Sequence, residues 1–484
     1  MRLPGTPNIR MMSLTVIAFA ATISLGLGQS TGPVFPHFAI GKNGFIFEGL
    51  PDIARWDLES RRITAHLDKQ IDVIQAINKV LKRRNIKLII TLVPMVHTIY
   101  ADQLPGGFVR PRFLLEMYGD IQTRLNQLGV ETPNLERPFL QHPSRKTLID
   151  PLFMRTDHHW SPTGALEAAR VIGNYIQAKY PAMLADIPDV KYSMRLQDRK
   201  VYWNIVSLYK KLPPNEQAKV QPDAIRTPEF SLVPGSGLGG DAAGLGLGLL
   251  TDTTPRIAEV GTSFSHTPEF GFVGGLAQHL SRDVLNASRG GVEAFIPLAE
   301  YLASDAYQEH PPAMIIWEIP QRLMSGGMKP INNSTDWNTR QYLLEVAANA
   351  LGACQNGLPG RVISTNGFQV QGANANIDSS TAKSFVKYQF ATPIKANQYL
   401  SVNVSSSTSD SFVVEGQGSK PARYFVKLGE YNTTHRVNVP LATLTNPKTN
   451  SLTVRVSPGS QLKLEGPTLC TTAPELIWLA GNGQ

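Results

Sequence analysis

Lys87-Leu88-Ile89-Ile90-Thr91-Leu92-Val93-Pro94 is an unbroken β-prone run, the pattern of a strand buried on both faces of a parallel sheet. Ahead of it Ile71, Val73, Ile74, Ile77, Val80 and Leu81 recur at near-helical spacing, so a helix feeds the strand. The same alternation returns downstream. Ser161-Pro162 offers an N-cap followed by proline at the first helical position, and 165–180 carries a helical apolar pattern. Residues 256–260 read as a strand, 272–280 and 297–307 as helices, and Ala313-Met314-Ile315-Ile316-Trp317-Glu318-Ile319 as a further strand. Strands alternating with helices predict an α/β domain: a flavodoxin-like parallel sheet with helices on both faces.

Two segments frame this unit. Upstream, Ile40-Gly41-Lys42-Asn43-Gly44-Phe45-Ile46-Phe47-Glu48-Gly49 reads as a short hairpin. From about Gly360 the chain turns to short strands rich in Val, Thr, Ser and Phe, separated by regular turn signals, which predicts an all-β sandwich. A boundary near residue 350 follows, dividing the chain into 29–345 and 346–484. Between the motifs, 234–250 is dominated by Gly, Ala and Leu and reads as a mobile insertion near the candidate nucleophile. It is not a phosphate loop, because no Lys-Ser or Lys-Thr closes it.

A chain of 484 residues exceeds one ordinary core, and its 42% hydrophobic content is normal for a soluble protein. Arg2 and Arg10 precede an apolar run at 11–28 that ends in small residues, the layout of an export signal. It is expected either to be cleaved near Gly28, freeing the protein in the periplasm, or to remain as a tether. The two cysteines, Cys354 and Cys470, are expected to bridge in that oxidising compartment. Without a His cluster nearby they make no zinc site, and no metal is expected. The net charge of +8 excludes little, but in an exported protein it suits an anionic polysaccharide better than nucleic acid.

Arg155-Thr156-Asp157-His158-His159-Trp160-Ser161-Pro162 places an acid two positions from a histidine just before a helix start. An imidazole that takes a proton at neutral pH needs a carboxylate to fix its tautomer and stabilise its charged form. Asp157 and His159 suit those roles. Asp157 could instead merely cap the turn, and His158 is an alternative base that an extended segment would turn to the opposite side. The candidate nucleophile is Ser263 in Val260-Gly261-Thr262-Ser263-Phe264-Ser265, at the end of a strand, with Thr262 and Ser265 as rivals. Backbone N–H donors for an oxyanion are expected from Ser263 itself and from Gly290 and Gly291 in Ser288-Arg289-Gly290-Gly291.

These motifs occur in an order that resembles the alginate O-acetyltransferases of the AlgX and AlgJ type. The resemblance runs through Gly41-Lys42-Asn43-Gly44-Phe45-Ile46-Phe47, Leu92-Val93-Pro94 with Tyr100 and Leu104-Pro105, and Thr156-Asp157-His158-His159-Trp160-Ser161-Pro162. It continues through Gly261-Thr262-Ser263-Phe264-Ser265 and Trp317-Glu318-Ile319-Pro320 with Arg322, covering roughly 38–325. It implies an SGNH-hydrolase-like domain in which acid and base precede the nucleophile, and it assigns nucleophile, base and orienting acid to Ser263, His159 and Asp157. His158 stands where the family usually has Thr, and Phe264 where Tyr is common; both bear on the acceptor more than on the reaction type. The β-rich tail matches the AlgX arrangement, with a carbohydrate-binding module after the catalytic domain.

The expected reaction is a double displacement in which Ser263 accepts an acetyl group and passes it to a sugar hydroxyl, without cofactor. The resemblance implies a membrane-bound O-acyltransferase as donor partner within a polysaccharide synthesis and export complex. Tyr100, Arg289, Arg322, Lys387 and Arg423 are candidate substrate contacts. A carbohydrate acetyl esterase with the same triad and a non-catalytic polysaccharide-binding scaffold are the alternatives.

Overall fold

The computed structural model describes residues 34–35, 38–48, 56–197 less 107 and 109, 201–234 less 203–207 and 219, 254–325, and 339–471 less 353, 355, 396, 407–410, 417–421, 428–433, 442–443 and 445–448. The export-signal run at 11–28 and nearly all of the glycine-rich insertion lie outside them.

The three predicted strands form one parallel sheet together with a fourth, Val284–Asn286. β1 (Lys87–Val93), β2 (Ile257–Val260), β3 (Val284–Asn286) and β4 (Met314–Pro320) stand in the order β3-β2-β4-β1, every pair parallel. All seven residues of β4 are buried, which explains its lack of alternation. Helices cover both faces, as expected. On one side α1 (Trp56–Arg83), α2 (Arg112–Gln127), α5 (Phe295–Ala303) and α6 (Thr339–Leu351) pack on Leu88, Ile90, Ala258, Val260, Ile315 and Trp317. On the other, α3 (Pro162–Lys179) and α4 (Phe272–Leu280) pack on Ile89, Ile257, Met314 and Ile316. The helix expected at 297–307 is two helices, α5 and Asp305–Glu309, because Ser304 leaves helical geometry and caps the second. The expected hairpin is present: Phe38–Ile40 pairs antiparallel with Ile46–Glu48.

The C-terminal part is two antiparallel sheets face to face. One contains Arg361–Asn366, Phe385–Gln389, Ser451–Val456, Ser411–Glu415 and Arg423–Lys427; the other is centred on Gln398–Ser405 and Leu462–Thr471. Alternate residues such as Val386, Val402, Phe412, Val454 and Leu464 fill the space between them. α6 joins the two parts, since it packs on α1 and α5 and also on the strand Thr434–Pro440. Its C-terminal carbonyls are satisfied by Arg84, which donates to Ala350 and Leu351, and by the Tyr307 hydroxyl, which donates to Ala350 at 2.6 Å. The sequence-based division at 345/346 falls inside this shared helix. Cys354 and Cys470 are bonded, linking the segment after α6 to the last strand of the sandwich.

Candidate active site

β2 ends at Val260, and the chain turns at Gly261 into a short helix, Ser263–His266, whose N-cap is Thr262. Ser263 is thus the first helical residue at the carboxyl edge of a central parallel strand, where open α/β sheets present their ligand crevice. Gly261 leaves no room for a side chain: a Cβ there would stand 2.6 Å from Glu318 Oε2 and 2.8 Å from Glu259 Oε1. Glu318 Oε2 holds the turn from beneath, accepting the Thr262 backbone N–H at 2.7 Å and the Thr262 hydroxyl at 2.9 Å.

The imidazole arrives from another element. An antiparallel bridge between Phe153 and Trp160 closes the loop 153–160, with the Met154 N–H donating to the His159 carbonyl at 3.0 Å. Asp223 clamps the loop from outside, accepting the Thr156 N–H at 2.7 Å, the Thr156 hydroxyl at 2.6 Å and the Arg155 N–H at 3.1 Å. α3 begins directly after it, with the Ser161 side chain accepting the Gly164 N–H at 3.3 Å. Buried Trp160 donates its Nε1–H to the Phe264 carbonyl at 2.9 Å and so ties the loop to the helix carrying Ser263.

Asp157 Oδ1 then lies 2.8 Å from His159 Nδ1, and His159 Nε2 lies 2.7 Å from Ser263 Oγ. Asp157 and His159 are buried, while Ser263 is partly open to solvent. A carboxylate against Nδ1 keeps the proton there, so Nε2 presents its lone pair to the serine hydroxyl. The rivals face elsewhere: the Thr262 and Ser265 hydroxyls are directed at Glu318 Oε2, at 2.9 and 3.4 Å.

His158 departs from expectation. The segment is bent rather than extended, because Asp157 Oδ1 accepts both the His158 N–H at 2.6 Å and the His159 N–H at 3.3 Å. The two imidazoles therefore lie on the same side, 4.1 Å apart between ring centres. His158 Nδ1 faces Glu48 Oε2 at 3.2 Å, not the serine. Burial lowers the His158 pKa to about 4 despite Glu48, and the hydrogen bond with His158 lowers Glu48 to about 2. At neutral pH this is a neutral imidazole beside a carboxylate.

The segment after β3 runs along the nucleophile turn, with the Ala287 N–H donating to the Glu259 carbonyl at 2.8 Å and the Arg289 N–H to the Gly261 carbonyl at 2.9 Å. Gly290 is thereby laid beside the serine, where an added Cβ would be 3.8 Å from Ser263 Cβ; Gly291, at φ 77°, faces open space. Arg289 extends to Glu300, and Arg322 lies 3.4 Å from Glu48. Lys387 and Arg423 stand in one cross-strand row of the sandwich with Thr453 and Glu415 between them. Tyr100 requires correction as a substrate contact. It is completely buried against Phe45, its hydroxyl accepts the Leu152 N–H at 2.9 Å, and burial pushes its pKa up to about 12.

Asp157, His158 and His159 offer ligand atoms within 4.8 Å of one another. Both nitrogens of His159 already serve Asp157 and Ser263, so a cation would have to break the chain of hydrogen bonds. Glu259, Glu318, Asp223 and Glu48 are the site residues without an assigned role in the sequence reading. The signal for the first two was a charged residue inside an otherwise apolar strand.

A parallel sheet with helices on both faces and a serine at its edge is the architecture of an SGNH-hydrolase-like domain. Residues 40–321 match the family described as ALGX, "SGNH hydrolase-like domain, acetyltransferase AlgX", and the chain belongs to that family. The probable alginate O-acetylase AlgJ of Pseudomonas aeruginosa is 27% identical over 307 residues, 62% of this chain and 74% of that protein. Its namesake in Pseudomonas syringae pv. tomato is 29% identical over 253 residues, 52% of this chain and 61% of that protein. The solved structure of Pseudomonas aeruginosa AlgX shares the fold at a TM-score of 0.60 and 18% identity, covering 90% of this chain and 95% of that one, so the likeness extends into the sandwich.

Proposed function

We propose that this chain is an O-acetyltransferase of an exported polysaccharide, alginate or an alginate-like uronate polymer. The observation that carries the reading is the hydrogen-bonded chain from Asp157 through His159 to Ser263. Ser263 Oγ attacks the donor's acetyl carbonyl, His159 Nε2 takes the hydroxyl proton, and that proton leaves with the departing donor group. A sugar hydroxyl then attacks the acetyl-serine, again losing its proton to His159, and the proton returns to Ser263 Oγ as the ester bond breaks. Asp157 keeps the Nδ1 proton in place and stabilises the imidazolium. The backbone N–H groups of Ser263, Gly290 and Gly291 are the proposed oxyanion donors.

Neither cofactor nor metal enters these steps. The acetyl donor is delivered by a membrane-bound O-acyltransferase, and the protein works in the periplasm within a polysaccharide synthesis and export complex, a reading supported by the basic-then-apolar start of the chain. Arg289 beside Glu300, Arg322 beside Glu48, and Lys387 and Arg423 on the sandwich are proposed contacts for the uronate carboxylates. A polymer held on the sandwich raises the local concentration of sugar hydroxyl over water.

Incubation with p-nitrophenyl acetate and a uronate oligosaccharide tests the proposal by mass spectrometry. Acetylated oligosaccharide is expected, and none with Ser263→Ala. Free acetate alone would instead indicate a carbohydrate esterase, and unchanged acetylation by Ser263→Ala would indicate a binding scaffold.

A further inference from the structure

Two carboxyl groups lie under the nucleophile turn and take no part in the steps above. Glu259 is on β2 and Glu318 on the adjacent strand β4, with Glu259 in register with Ile316. Parallel neighbours in register share a face and every second residue returns to it, so Glu259 and Glu318 line one face of the sheet. Thr91, the register partner of Glu318 on β1, joins them, and all three are fully buried. This is the face covered by α3 and the loop that carries His159.

The two carboxyls converge on Gly261, the residue that turns the chain toward Ser263. Glu318 Oε2 is engaged by Thr262, whereas Glu318 Oε1 and both oxygens of Glu259 make no regular hydrogen bond among the described residues. The other polar groups facing the pair are the Ser265 and Ser288 hydroxyls beside Glu259 and the Arg322 cation toward Glu318. His159 is engaged by Ser263 Oγ and Asp157 Oδ1, and His266 bonds to the Ser288 carbonyl at 3.0 Å. Two bare carboxylates in this enclosure would suffer both desolvation and mutual repulsion, and one retained proton removes most of that cost.

We infer that Glu259 and Glu318 are a positioning pair for Ser263 that carries one negative charge between them: Glu318 is the carboxylate gripping Thr262, and Glu259 is the neutral acid beside it. The inference rests on Ser263 being the nucleophile. Burial, reinforced by Glu318, pushes the Glu259 pKa well above its ordinary value. Burial also raises Glu318, to about 7, against the hydrogen bonds from Thr262 and Ser265 that pull it down. The folded chain thus keeps a proton that the unfolded chain releases near 4.5, so stability falls as pH rises toward the folded pKa and stays low above it. Alkaline pH places a second charge under Gly261, and the turn carrying Ser263 yields.

The test compares the full chain with Glu259→Gln, Glu318→Gln and Ser263→Ala. Infrared difference spectra at about pH 8.5, above the Glu318 pKa, are expected to show a protonated-carboxyl band in the wild type that is weaker in Glu259→Gln. The alkaline limb of kcat for acetyl transfer from p-nitrophenyl acetate, and the alkaline fall in melting temperature, are expected to move up by about one pH unit or more in Glu259→Gln. Glu318→Gln is expected to lower kcat about tenfold or more with KM nearly unchanged, because the serine is misplaced rather than the substrate lost. A wild-type spectrum without that band, or a Glu259→Gln limb and melting profile superimposed on the wild type, would overturn the inference. Undiminished turnover by Ser263→Ala would sink the active-site reading, while the infrared spectra would still judge the pair.

Discussion

His159 Nε2 lies 2.7 Å from Ser263 Oγ although 104 positions separate the two residues. The distance is set by the Trp160 indole, which fastens the histidine loop to the serine helix through the Phe264 carbonyl. Neither side chain is free to drift: the loop is bridged at its base and clamped by Asp223, and the serine turn is gripped by Glu318.

Asp157→Asn keeps the shape of the buried acid but no longer enforces the Nδ1–H tautomer. Its kcat is expected to fall by roughly a thousand- to ten-thousand-fold with far-UV circular dichroism retained. Steady-state kinetics check this, and a loss below about tenfold would remove Asp157 from the proposed role.

Gly261→Ala drives a methyl group to 2.6 Å from Glu318 Oε2 and 2.8 Å from Glu318 Cβ. The turn must shift, and displacement of a reacting group by an ångström costs on the order of a hundredfold in rate. The expected signature is a fall in kcat with little change in oligosaccharide affinity, measured by kinetics and calorimetry.

His158 makes stability pH-dependent. Its pKa is lowered from 6.5 to about 4 by burial, so the unfolded chain binds the extra proton first. Its contribution is therefore complete above 6.5 and is lost as pH falls toward 4, by up to roughly 3 kcal/mol. Glu48 acts lower: its depressed pKa gives stability present above 4.5 and lost as pH falls through about 2. Denaturation curves of His158→Gln are expected to lose the slope in the upper window, and the lower window is expected to move up toward 4.5, because His158 is the main cause of the low Glu48 pKa.

The architecture was legible where local pattern and burial agree. β1 and β4 read as strands because both faces are covered, and α3 announced itself through Ser161 and Pro162. Asp157 and His159 were legible as residue types at a suitable spacing before a helix start, and Ser263 as a serine just past the end of a strand. Properties decided by tertiary contact were not. The motif position of Tyr100 says nothing of its enclosure against Phe45, and the placement of His158 depends on a bend imposed by Asp157 two hydrogen bonds deep. Glu259 and Glu318 are 59 positions apart, and only the β2–β4 pairing makes them neighbours.

The Cys354–Cys470 bridge spans a sequence separation of 116 residues, and a loop of that size restricts the unfolded chain by roughly 4 to 5 kcal/mol in the chain-entropy model. Reduction, or replacement of both cysteines by serine, is expected to lower the urea midpoint of the sandwich. An unmoved midpoint would show that the bridge adds nothing to its stability.

The most direct measurement is the covalent one. Brief reaction with p-nitrophenyl acetate, acid quench and peptide mass spectrometry should locate a single acetyl group on Ser263, absent when His159 is replaced by Ala. An acetyl group on another residue, or equal labelling of Ser263 without the imidazole, would contradict the account.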